Sequence, residues 1–151
     1  MTESNSPFSL NVGTQLKIPS QAAWDLFIQP AQANWNHALQ SFDATLGFHT
    51  GSILTMKFQA LRGPVVMKFE ILESSPAQCL VLEHSFRHLL FKHSGQICVR
   101  FVEQGSLQCR VEMQYVLIGP FVTRVWTEKK LIVNNIFNLW LESLKLQSER
   151  L

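Results

Sequence analysis

Phe8, Leu10, Val12, Leu16 and Ile18 fall on alternate positions with mostly polar residues between them. That is the period of a strand with one buried face. Pro19-Ser20 interrupts the run. Ser20 is placed to cap a helix over residues 21–28, whose Ala23, Trp24, Phe27 and Ile28 share one face. Pro30 breaks that helix and suits the first turn of a second short helix over residues 31–39. From residue 44 to 118 the pattern predicts strands throughout. Leu54, Met56 and Phe58 alternate with polar residues, as do Met67, Phe69 and Ile71. The same alternation carries Leu80, Leu82, His84 and Phe86, then Ile97, Val99 and Phe101, then Leu107, Cys109, Val111, Met113, Tyr115 and Leu117. Turn signals separate these runs at Thr50-Gly51-Ser52, Gly63-Pro64, Ser74-Ser75-Pro76, His93-Ser94-Gly95 and Gln104-Gly105-Ser106. The short spacings predict antiparallel hairpins with one apolar and one wet face.

Gly119-Pro120 ends the sheet pattern. Residues 121–148 contain no Gly or Pro and predict one helix of about 40 Å. Val122, Trp126, Val133, Ile136, Phe137, Trp140 and Leu144 form its apolar stripe, opposed by Thr127, Lys130, Asn134, Asn138, Glu142, Lys145 and Glu149. The expected architecture is therefore α+β: a strand, two short helices, about six more strands, and a long terminal helix. A sheet of about seven antiparallel strands must curl, and only the last helix is long enough to cover its apolar face.

Composition narrows the class. The chain has 151 residues, 46% hydrophobic and 16% charged. That length and balance suit a single domain over residues 8–151, preceded by a polar tail, 1–7, expected to be disordered. A net charge of +2 without a basic stripe gives no reason to expect nucleic acid as a partner. Cys79, Cys98 and Cys109 are odd in number and lack CxxC spacing, so neither a disulfide framework nor a zinc site is expected. No leader pattern opens the sequence, and no apolar run approaches the ~20 residues that span a bilayer. The expectation is a cytoplasmic protein without a transmembrane segment.

Several stretches resemble the START/Bet v 1-like (SRPBCC) superfamily. IPSQAAWDLFIQPAQANW, residues 18–35, is similar to its strand, proline, Trp-bearing helix and second short helix. HTGSILTMKF (49–58) resembles the glycine-led strand that follows, and MKFEILESSPAQCLVLEHS (67–85) its strand–Pro–strand hairpin. LIGPFVTRVW (117–126) resembles the approach to its C-terminal helix. The resemblance spans nearly the whole chain and is architectural. It implies the helix-grip fold, a curved sheet wrapped around the long helix, with an apolar cavity between them. Families of this fold bind lipids, sterols, quinones or polyketides there, and polyketide cyclase/dehydrase-like and lipid-carrier members share the layout.

The sequence carries no GxSxG, SxxK, GxGxxG or P-loop motif. His84 takes an inward strand position, where a neutral imidazole offers one donor and one acceptor to a ligand. Tyr115, the sole tyrosine, sits inward on another strand, and its hydroxyl needs a partner when buried. Met56, Met67, Met113, Phe58, Phe69, Phe86, Val99, Phe101, Val133 and Phe137 complete the candidate ligand wall, with Trp35 as a gate. Each of these apolar residues also suits plain core packing. On a strand His84 and His88 stand about 13 Å apart, too far to share one ion, so no metal is expected. No cofactor is expected either. Glu70, Glu83, Glu103 and Glu112 all fall outward. Arg87, Lys92 and Arg100 suit a solvated face or a membrane-touching one. The leading expectation is binding, for storage or transport, of a small hydrophobic molecule such as a lipid, quinone or polyketide. The alternatives are a cyclase/dehydrase-like enzyme using His84 and Tyr115, and a plain interaction module. The oligomeric state stays open, a dimer being one option.

Overall fold

The computed structural model describes residues 7–59 and 62–151. The expected tail, 1–7, lies outside the described residues except for Pro7. Strand β1 (Ser9–Leu16) is followed by helix α1 (Ser20–Phe27) and a 3-10 turn at Gln32–Asn34. Six strands follow: β2 (Leu39–Asp43), β3 (Ile53–Phe58), β4 (Val65–Ser75), β5 (Cys79–His88), β6 (Phe91–Glu103) and β7 (Cys109–Ile118). Helix α2 (Val122–Ser148) closes the chain. The seven strands form one sheet in the order β1-β7-β6-β5-β4-β3-β2, antiparallel at every step. Chain order is broken only where β1 joins β7, which brings both ends of the domain together under α2. This is the helix-grip arrangement.

The alternation does the structural work. Leu54, Met56, Phe69, Ile71, Leu80, Leu82, Val99, Val111 and Met113 are all buried on the concave face. Burying such side chains is worth about 1.5–3 kcal/mol each. The convex face is largely polar. There Arg100 (2.8 Å) and Arg110 (3.2 Å) both donate to Glu112, and the Arg100 bond chiefly holds that carboxyl below its usual range.

Five local expectations are corrected. Ser20 is the first residue of α1 and Pro19 occupies the cap position, without a side-chain capping bond. The expected second helix over 31–39 is only the 3-10 turn. Asn36 donates to Gln32 Oε1 (2.8 Å) and accepts from the Ala38 amide (3.0 Å), and these side-chain bonds compete with a helical ladder. The strand pattern therefore begins at Leu39 rather than 44. A register shift between Leu39 and Ser41 puts the buried pair Leu39 and Phe42 three apart, which hides the period of two. His93-Ser94-Gly95 is not a turn but lies within β6, and the β5–β6 hairpin turns at Leu89-Leu90. Leu107 is exposed in the turn before β7, which starts at Cys109.

Candidate functional site

Helix α2 grips the sheet unevenly. Val125 and Trp126 are buried at its start, and Phe137, Trp140, Leu141 and Leu144 near its end. No residue of α2 between Trp126 and Phe137 is buried. Under that lightly held stretch lies a cavity of about 90 Å3. The sheet contributes Phe58, Met67, Phe69, His84, Ile97 and Tyr115 to it. The helix contributes Lys129, Ile132, Val133, Ile136 and Phe137, which recur at the spacing of one helical face. Pockets that engulf a drug-sized ligand usually reach ~300–1,000 Å3. This one holds a functional group or a small guest.

Its polar chemistry comes from β5 and β7, the two strands that flank β6. Ile97 of β6 pairs with Tyr115 of β7 and Gly95 of β6 with His84 of β5, so both side chains reach in beside Gly95. His84 Nε2 and the Tyr115 hydroxyl are 2.9 Å apart. Among the described residues that hydroxyl has no other acceptor, so the arrangement that satisfies it has the O–H donating to Nε2. The ring proton then sits on Nδ1, which is buried and has no hydrogen-bond partner. Burial, and secondarily the charge of Lys129, lowers the His84 imidazole to about 4 and keeps it neutral at ordinary pH. Burial alone pushes the Tyr115 phenol up. With that tautomer His84, one of the residues lining the cavity, carries a neutral N–H that has no partner.

Gly95 explains itself here. A Cβ at that position would meet the Tyr115 hydroxyl at 2.2 Å and His84 Nε2 at 2.4 Å. The glycine marks a close approach rather than a turn. Gly95→Ala is expected to part the His84–Tyr115 bond and to lower stability by about 1–3 kcal/mol, the usual range for overpacking. Urea unfolding together with the NMR signals of the His84 ring would check both effects.

The structure brings seven of the sequence-derived candidates to the cavity: Phe58, Met67, Phe69, His84, Tyr115, Val133 and Phe137. Met56, Val99, Phe101 and Met113 do not line it. They are packed into the core, with Phe101 held edge-on between Trp24 and Phe27. Phe86 stands beside the site, its ring stacked on His84 at 5.4 Å and covered by the Lys129 ammonium at 4.6 Å. Trp35 lies apart, its Nε1 donating to Gln29 Oε1 at 3.1 Å. Of the other histidines, His88 meets Glu128 at 3.3 Å and His93 Nε2 lies 2.7 Å from the Pro120 carbonyl. Ile97, Lys129, Ile132 and Ile136 also line the cavity and were not among the candidate site residues. Lys129 precedes Val133 by four and Phe137 by eight, a spacing that the chain does display.

No family model matches the chain, and no curated protein matches it. Solved structures do. The Zhui aromatase/cyclase from Streptomyces sp. R1128 superposes with a TM-score of 0.76 at 9% identity, over 94% of this chain and 93% of that one. The chain has the Bet v 1-like helix-grip fold. Ginseng major latex-like protein 151 from Panax ginseng shares it at a TM-score of 0.72 and 14% identity, over 93% and 96% of the two chains. Norcoclaurine synthase from Thalictrum flavum shares it at 0.68 and 11%, over 94% of each. At such identities the helix-grip likeness concerns backbone alone and assigns no chemistry. No helix among the described residues is long and apolar enough to cross a membrane.

Proposed function

We propose that this protein binds a small hydrophobic molecule whose buried end carries a carbonyl or a similar hydrogen-bond acceptor. The observation that supports this reading is the unpartnered Nδ1 of His84, a residue of a cavity otherwise lined by apolar side chains, Tyr115 and Lys129. An unmade buried bond costs about 1–3 kcal/mol, and a guest that supplies an acceptor recovers it. Burial of the guest's apolar surface adds roughly 25 cal/mol per Å2. Quinones and aromatic polyketides meet these conditions, having carbonyls on a flat apolar frame. A guest larger than the cavity enters by parting the lightly packed middle of α2 from the sheet rim. Cys79, Cys98 and Cys109, each with its thiol pushed up chiefly by burial, fit a reducing, cytoplasmic setting.

Thermal shift and calorimetry with paired compounds test this. Small aromatic ketones and quinones should bind about two- to tenfold more tightly than hydrocarbons of the same shape. His84→Phe should erase that preference while leaving hydrocarbon binding in place. Equal affinity for both members of a pair, or no binding by either, would overturn the reading.

A second reading is a cyclase/dehydrase-like enzyme, with His84 as proton carrier and Tyr115 polarising a carbonyl. The hydrogen-bonded pair favours it, as does the aromatase/cyclase among the similar folds. It ranks second because no carboxylate lines the cavity and because an imidazole lowered to about 4 is a weak base. Turnover of a cyclisable polyketide chain, lost in His84→Ala, would promote it.

A further inference from the structure

The β5–β6 hairpin ends in three consecutive apolar residues. Leu89 is 77% exposed, Leu90 88% and Phe91 42%. Beside them Phe121, 71% exposed, opens α2, its ring edge-on to Phe91 at 5.0 Å. Leu89 (φ 58) and Phe121 (φ 52) both adopt the left-handed conformation, which disfavours such side chains, and both sit at this one corner. Large apolar side chains clustered in solvent mark a contact surface.

The charge around them selects the partner. Arg87 and Lys92 are exposed and stand directly opposite each other across the hairpin. Facing like charges weaken a strand pair. Arg124 lines the groove between hairpin and helix, a space of about 460 Å3. None of the three has an acidic partner among the described residues; the nearby Glu128 is engaged with His88. The first turn of α2 has no acidic residue and no side-chain cap, so its positive end adds to the field. A two-fold pairing of this corner with a second copy would set the same cations against one another. An anionic bilayer answers both features, since it takes apolar side chains below its headgroups and attracts cations at its surface.

We propose that Leu89, Leu90, Phe91 and Phe121, ringed by Arg87, Lys92 and Arg124, form a docking surface for an anionic lipid bilayer. The surface is separate from the cavity and does not depend on what the cavity holds.

Flotation of the full chain with phosphatidylcholine vesicles, with and without about one third phosphatidylglycerol, tests it. The chain should float with the anionic vesicles and not with the neutral ones, and half-molar sodium chloride should weaken the association. The double variant Leu89→Ser/Leu90→Ser should bind at least tenfold more weakly, on the order expected for two lost side chains. Arg87→Gln and Lys92→Gln should each cost about fivefold. All four positions are exposed, and circular dichroism of each variant verifies that the fold is kept. Failure to float with either vesicle, equal binding to both, or unchanged binding by the variants would overturn the proposal. So would sedimentation showing a dimer that Leu89→Ser/Leu90→Ser dissolves, because the corner would then belong to a second copy.

Discussion

Trp140→Ala should destabilise the fold by about 3–5 kcal/mol, the usual cost of deleting a fully buried tryptophan side chain. Trp140 is 1% exposed and stacks on Phe27 of α1 with ring centres 5.2 Å apart and planes within 9°. Its other side meets Phe58 of β3 at 6.2 Å. One side chain thus joins α2, α1 and the far half of the sheet. Because the middle of α2 is lightly packed, Trp140 and its neighbours Phe137, Leu141 and Leu144 carry most of the clamp. For a domain of this size the loss corresponds to a fall in Tm of roughly 10 °C. Leu131→Ala, two and a half turns back on the same helix but 68% exposed, is the control and should change stability by under about 0.5 kcal/mol. Urea denaturation of the two variants decides the matter. Equal effects would mean that α2 is not held where its buried residues are.

Acidification is the second large effect. An unfolded imidazole takes up a proton below about 6.5, whereas the folded His84 does so only near 4. Between those values the unfolded chain holds more protons, so stability must fall as pH falls. The contribution of His84 is fully present above about 6.5, shrinks as the pH drops, and levels off below about 4. Its total is about 3 kcal/mol. Glu112, depressed chiefly by Arg100, acts in the same direction, its contribution being lost as the pH falls from the ordinary carboxylate range downward. Comparison with His84→Gln separates the two, because the variant keeps Glu112 and has nothing to titrate at position 84. Stability measured from pH 7 to pH 4 should fall less in the variant by about that amount. Parallel curves for the two proteins would show that His84 is not held neutral by burial. Protonation at Nε2 leaves the Nδ1–H in place, so ligand binding that requires that donor alone should be lost only as acid unfolds the chain.

The helix-grip arrangement was legible because its elements follow simple periods. Leu54, Met56 and Phe58 needed only a count of two, and the long helix only an absence of Gly and Pro. The same inward count placed His84 and Tyr115 on the concave face. It failed where side chains rather than period set the backbone. The Gln32–Asn36 bonds ended a helix that the apolar spacing continued, and a bulge between Leu39 and Ser41 concealed β2. Gly95 read as a turn because glycine most often is one. Only the two rings above it reveal that it makes room.

The candidate wall was half legible for a similar reason. Periodicity reports which face a residue occupies, and Met56, Val99, Phe101 and Met113 do face inward. Whether an inward side chain meets another atom or an empty space depends on where the helix crosses, and no local pattern encodes that.

Sequence by itself determined the strands and their apolar face, the closing helix, and the presence of one imidazole and one phenol on the inner side. Those follow from hydrophobic burial, which acts residue by residue along the chain. Tertiary structure alone decided that His84 and Tyr115 share a hydrogen bond, that Nδ1 is left without one, and that the space beside them is about 90 Å3. These depend on contacts between β5, β6, β7 and α2, and packing between distant segments is a property of distances in space, which the order of residues does not state.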